Sequence, residues 1–160
     1  MRIQYILLLF VVGVCAMPTL TATLHPVNQS GAHGNVVWVF YPDHVDISGT
    51  VTGLTPGKHG FHIHEFGDCG GEGAHATGSH YNPHQQLHGK PSIDSHMGDL
   101  GNIEANEDGV ATIQKNYSTF TQATMINMKG RSIVVHADAD DLHTQPTGNA
   151  GAKVACGIIA

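Results

Sequence analysis

Gly60-Phe61-His62-Ile63-His64-Glu65-Phe66-Gly67-Asp68 (GFHIHEFGD) sets two histidines two positions apart, each preceded by an apolar residue. A β-strand has a side-chain period of two, so His62 and His64 share one face and Phe61 and Ile63 the other. The stretch reads as a strand with a core on one side and a pair of imidazoles on the other. Two imidazoles on a stiff backbone are half of a transition-metal site, and zinc, copper, iron and nickel accept such ligands. Two surface histidines would have the same spacing, so the remaining histidines must decide.

There are 13 histidines in 160 residues, against 12% charged residues in all. That enrichment points to metal. The 20 glycines and the short runs rich in Val, Ile and Thr favour a β-rich chain with many turns. A net charge of −6 with neutral histidine argues against nucleic acid and anionic membrane surfaces as partners. The length suits one domain with a targeting segment.

Met1 to Ala16 has the layout of a secretory signal: Arg2, an apolar run from Tyr5 to Val14, and Val14-Cys15-Ala16 as a small-residue cleavage site. The uncharged stretch ends near Met17-Pro18, short of the ~20 residues that span a bilayer. A lipid-modified Cys15 is the alternative, and Val14 is a poor residue to precede it. Removal of this segment leaves a mature domain of residues 17–160, with no membrane partner and a formal charge of −7, because Arg2 is lost and the acids are not. Two cysteines then remain, Cys69 and Cys156. In an oxidising compartment a disulfide is the default. Free thiols or thiolate metal ligands are the alternatives.

The pattern predicts strands at Leu20–Val27, Asn35–Tyr41, Val45–Thr52, around Phe61–Glu65, at Asn102–Ala105, Gly109–Gln114, Arg131–His136 and Ala152–Ala160. Pro56-Gly57 and Asn106-Glu107-Asp108-Gly109 mark turns. Lys115 to Lys129 is polar and weakly patterned. No segment has a convincing helical period. Eight short strands argue for an all-β sandwich or small barrel. Residues 67–98 lose all periodicity, and a loop of that length inside a compact domain is functional or disordered. It carries Cys69, His75, His80, His84, His88 and His96, with Asp99 just beyond. A metal and a disulfide would tie it down.

Six blocks then stand in one order: Gly60–Glu65, Gly78-Ser79-His80-Tyr81-Asn82-Pro83, His88-Gly89-Lys90-Pro91, His96-Met97-Gly98-Asp99-Leu100-Gly101-Asn102, Val134-Val135-His136 and Gly148-Asn149-Ala150-Gly151. Through them the whole mature chain resembles the secreted copper/zinc superoxide dismutases. The resemblance implies an eight-stranded Greek-key β-barrel or sandwich, immunoglobulin-like, with a long metal loop and a short second active-site loop. It implies one copper on His62, His64, His80 and His136, and one zinc on His80, His88, His96 and Asp99, with His80 as the bridge. The activity implied is dismutation of superoxide to dioxygen and hydrogen peroxide at a redox-cycling copper, with His80 taking and giving a proton. Asp140 would join His62 to His88, and His59 would brace the strand. His25, His33, His44 and His143 match no ligand, and His75 and His84 read as exposed.

The chain also departs from the family. Lys153 stands where an arginine is typical, which keeps the charge that would guide superoxide but loses the planar fork. The loop Leu142–Gly148 is short and lacks guiding charges, and Cys69 follows Gly67-Asp68 early. Both features are more like bacterial periplasmic members, so the expected address is periplasmic or secreted, and homodimerisation stays open. In a eukaryotic secreted protein Asn28-Gln29-Ser30 and Asn116-Tyr117-Ser118 would be glycosylation acceptors. The alternative function is a non-enzymatic copper/zinc buffer or chaperone on the same fold. A jelly-roll enzyme with one metal fits less well, because Glu65 follows His64 directly and the later ligands come from a long loop.

Overall fold

The computed structural model describes residues 16–118 and 127–160. The expected leader lies outside these residues except for Ala16, and so does most of the weakly patterned stretch after Ser118. Eight strands run β1 Thr19–Pro26, β2 His33–Phe40, β3 Val45–Thr52, β4 Gly57–His64, β5 Asp99–Ala105, β6 Ala111–Tyr117, β7 Ser132–His136 and β8 Lys153–Ile158. They close into one antiparallel barrel in the order β1-β2-β3-β6-β5-β4-β7-β8, β8 returning to β1. Among the described residues no helix is long and apolar enough to cross a membrane.

Alternation builds the barrel. In β1, Leu20, Ala22 and Leu24 point inward and Thr19, Thr21 and Thr23 outward. Trp38, Phe40, Ile47, Phe61, Ile63, Leu100, Ile113, Ile133 and Ile159 fill the interior. β4 and β7 break the simple inside–outside rule, for nearly all their residues are buried. Their outer faces carry His62, His64, Val134 and His136, and the long loop covers them. β4 lies between β5 and β7, pairing Phe61 with Val135 and His62 with Val134.

The strand bounds differ from the sequence pattern mainly at β4, β5 and β6, with β4 already begun at Gly57, inside the expected turn, and ended at His64. β5 begins at Asp99, and β6 runs on to Tyr117 because it pairs with β3 along its whole length, Val45↔Tyr117 to Val51↔Ala111. The expected hairpin between them shrinks to one pair, Ala105↔Ala111.

The long loop is fixed at both ends. Cys69 and Cys156 are disulfide-bonded, which ties the loop to β8 across 87 residues of sequence. Further on, Tyr81 N–H donates to the Ile63 carbonyl at 2.8 Å, Gly98 N–H donates to Tyr81, and Ile63 N–H donates to Gly98. His80 is thereby held beside His64, to which it is bridged. Within the loop, Glu72–Thr77 forms short 3-10 turns broken by a kink at Gly73 and Ala74, both at positive φ.

Candidate metal centre

Four imidazoles meet on the outer face of β4 and β7. His62 and His64 come from β4, His136 from the end of β7, and His80 from the loop, and one ligand atom from each lies within 4.8 Å of the others. A β-bulge between Val135 and His136 sets the last one. The hydrogen bonds show which nitrogen is free. His64 Nδ1 lies 2.9 Å from the Gly78 carbonyl and His136 Nδ1 3.1 Å from the Gly151 carbonyl. A carbonyl only accepts, so those nitrogens carry the protons and each Nε2 keeps its lone pair. The two Nε2 atoms are 3.4 Å apart. His62 is turned the other way, with Nε2 2.8 Å from Asp140 Oδ2 and Nδ1 buried without a hydrogen-bond partner. His80 Nε2 is likewise buried and unpartnered.

A second group shares His80. Asp99 Oδ1 lies 2.8 Å from His80 Nδ1, 3.1 Å from His88 Nδ1 and 3.2 Å from His96 Nδ1. Tetrahedral zinc with ~2.0 Å bonds has ligand–ligand edges of ~3.3 Å, close to this spacing. Asp99 Oδ2 turns away and accepts from the backbone N–H of Gly89 and His96, which fixes the carboxylate. His88 Nε2 donates to Asp140 Oδ1 at 2.9 Å, leaving its Nδ1 for the centre. Asp140 thus carries one ligand of each group on its two oxygens.

Burial and charge separate the groups. Burial pushes His62 down to about 4, His136 down to about 3, and His64 well below the ordinary histidine value. At His88 burial acts the same way, but Asp140 and Asp99 outweigh it and raise the group to about 9. Burial opposes ionisation of Asp99 and Asp140, yet their histidine partners hold both well below the usual carboxylate range. The first group is an all-imidazole set, which suits copper. The second is three imidazoles and a carboxylate, which suits a closed zinc site. Orphaned nitrogens on His62, His80 and His96 are the mark of donors waiting for a cation rather than for a hydrogen bond.

The sequence profile described as "Copper/zinc superoxide dismutase (SODC)" matches residues 27–159. The chain belongs to the copper/zinc superoxide dismutase family. It is 49% identical over 122 residues to an extracellular superoxide dismutase [Cu-Zn] of Haemonchus contortus, an alignment covering 72% of this chain and 66% of that protein. It is 47% identical over 120 residues to superoxide dismutase [Cu-Zn] 2 of Mesembryanthemum crystallinum, covering 71% of this chain and 76% of that one. The crystal structure of the clock protein EA4 superposes with a TM-score of 0.79 at 35% identity, covering 92% of this chain and 97% of that chain. Both named dismutases are eukaryotic, so they do not support the bacterial periplasmic membership expected from the loops.

Every ligand position that the dismutase resemblance implies is filled, and the copper and zinc sets come together as expected. His59 is buried, with Nδ1 2.8 Å from the His136 carbonyl and Nε2 2.8 Å from the Thr55 carbonyl. Lys153 stands opposite His136 in the β7–β8 register. It is half-buried, and its Nζ donates to Thr77 Oγ1 at 2.6 Å and to the Ala74 carbonyl at 3.1 Å. His25, His33, His75, His84 and His143 are exposed, and His44 stacks on Tyr41.

Three contributors went unread in the sequence. Asn102 grips the Asp140 backbone from both sides, accepting its N–H at 2.7 Å and donating to its carbonyl at 2.8 Å. Gln145 does the same for His88 at 2.8 and 2.9 Å. Thr77 is fully buried between Lys153 and His64. Asn102 closes the His96–Asn102 block, whereas no sequence pattern points to Gln145 or Thr77.

Proposed function

We propose that this protein dismutates superoxide, two superoxide anions and two protons giving dioxygen and hydrogen peroxide, outside the cytoplasm. The observation that carries the reading is His80, whose two nitrogens face two different buried ligand sets. Copper held by His62, His64, His80 and His136 would supply the one-electron redox chemistry, beside a redox-silent zinc held by His80, His88, His96 and Asp99.

The chain's own part is to place charge and protons. His80 Nδ1 belongs to the set with Asp99 that would hold zinc, so its Nε2 is the atom that would hold a proton in one half of the cycle and give it up in the other. Asp140 orients His62 and His88 together, so both sets keep one geometry throughout. His59 braces the end of β7 through the His136 carbonyl. Low-lying pKa values keep His62, His64 and His136 neutral and able to bind metal at physiological pH. Lys153 supplies a local positive charge for an anionic substrate, which an acidic protein would otherwise repel.

The test is the dismutation rate of residues 17–160 carrying one copper and one zinc. A rate constant approaching ~10⁹ M⁻¹s⁻¹ supports the reading. Full occupancy with a rate no better than free aqueous copper overturns it in favour of a copper/zinc buffer or chaperone. The complete ligand sets speak against that alternative.

An extracytoplasmic address is supported by the signal-like start, the disulfide and the extracellular relative. The short Leu142–Gly148 loop favours a periplasm, and the eukaryotic relatives favour secretion. A homodimer is supported by Phe66 and Ile158, apolar residues 57% and 39% exposed that both adjoin Ser132, whose hydroxyl donates to the Phe66 carbonyl and which stands opposite Ile158 in the β7–β8 register. Sedimentation of Phe66→Asp as a monomer, beside a dimeric parent, would be the supporting result; a monomeric parent would refute it.

A further inference from the structure

We propose that Thr77 is a positioning residue that seats the Lys153 ammonium against the copper ligand His64, so that lysine can stand where the family typically has arginine. The inference rests on the copper site and on the anion-guiding role of Lys153 proposed above.

The hydrogen bonds of the Thr77 hydroxyl support it. A hydroxyl has one proton and two acceptor sites. The proton goes to the Ala74 carbonyl at 3.0 Å. One lone pair accepts from Lys153 Nζ at 2.6 Å. The other lies 3.3 Å from His64 Nδ1, whose N–H is directed chiefly at the Gly78 carbonyl. All three valences are used, and the side chain is fully buried. An unfilled valence there would be costly, so the three partners fix one another.

The Lys153 ammonium has three donors. Two are spent on Thr77 Oγ1 and the Ala74 carbonyl, and the third is left for an anion. A lysine is a flexible point charge without the two-pronged geometry of a guanidinium. Threonine supplies the second fixed acceptor that aims it. The same hydroxyl touches the outer N–H of His64, so the cation and the copper ligand share one oxygen. Loss of the hydroxyl would release the ammonium toward solvent and alter the surroundings of His64 together.

The experiment uses residues 17–160 loaded with copper and zinc, and azide as the anionic probe, followed by its visible absorption band. Thr77→Val should weaken azide binding about five-fold, the size of a moderate coupling between neighbours. Lys153→Ala should weaken it about as much, and the double variant no further. Thr77→Ser should restore the parent affinity, and the copper(II) EPR spectrum should shift in Thr77→Val but not in Thr77→Ser. If valine does not fold, Thr77→Ala repeats the series. Unchanged azide affinity and EPR spectrum on loss of the hydroxyl, or effects of Thr77 and Lys153 that multiply fully, would overturn the proposal. A parent without dismutase activity that still shows this azide pattern would remove the catalytic reading and leave the Thr77 role standing.

Discussion

Gly148 lies against the carboxylate of Asp140: a Cβ built on it would fall 1.9 Å from Asp140 Oδ1 and 2.6 Å from His88 Nε2. The position also has φ +69°, a left-handed conformation that glycine adopts without strain. Glycine is therefore what lets one carboxylate reach both metal groups. Gly148→Ala should displace Asp140 and weaken zinc retention by ~10–100-fold, the usual effect of removing a partner behind a ligand. Asp140→Asn should weaken it by a similar amount without the backbone strain. Competition with a zinc chelator measures both, and unchanged affinity in either variant would count against Asp140 as the link.

The metal-free protein should be most stable near pH 6.5. Below that value an unfolded chain takes up protons on histidines that His62 and His136 refuse until about 4 and about 3. Stability therefore falls as pH drops from about 6.5. His88 has the opposite sign. Its folded value near 9 gives stability that is fully present below about 6.5 and is lost as pH rises through about 9. A melting temperature that climbs steadily from pH 5 to pH 9 would contradict this.

The same asymmetry separates the two metals on loading. At pH 7 zinc must displace a proton from His88, while His62, His64 and His136 are already neutral. Calorimetry in buffers of different ionisation enthalpy should show His88 proton release on zinc binding, with apparent zinc affinity rising toward pH 9. Zinc binding without any buffer dependence would exclude a charged His88.

Beta-strand parity explains how much of this was legible in advance. Phe61, His62, Ile63 and His64 alternate as a pleated strand must, so the core face and the metal face of β4 follow from four letters. The order of His80, His88, His96 and Asp99 was legible only because whole blocks resembled a family. A loop without periodicity gives no directions of its own. Thr77 and Gln145 were hidden for a different reason. Each acts on groups far away in sequence, such as Lys153 for Thr77 and the His88 backbone for Gln145, and only closure of the barrel brings these together. The extension of β6 to Tyr117 was missed because its partner is β3, not the strand before it.

Removal of the disulfide should be felt at both ends of the long loop. Cys69→Ser, or reduction, opens a closed loop of 87 residues and should cost about 4.6 kcal/mol in the chain-entropy account. Chemical denaturation of the metal-loaded variant measures it. A change under about 1 kcal/mol would mean that the metals alone hold the loop.

Of the two glycosylation sequons, Asn116 is the better acceptor. Its side chain is exposed on β6, where it donates to Asp46 at 2.7 Å. Asn28 is exposed as well and its amide donates to the Lys153 carbonyl, but it has a positive φ, which Asn116 lacks. Secretion from a eukaryotic host should give one glycan, lost in Asn116→Gln and kept in Asn28→Gln. A glycan at Asn28 alone would reverse the assignment.

The two faces of β4 divide what mutation can reach. Phe61 and Ile63 belong to the barrel interior, His62 and His64 to the chemistry outside it, and no side chain serves both. Substitutions on either face can accumulate under separate selection, with folding judged on one side and reactivity on the other. A single-residue insertion or deletion has no such freedom. It would turn imidazoles into the oily interior and aromatic rings onto the metals at one stroke, so lineages of this chain should vary in letters along β4 and hardly ever in length.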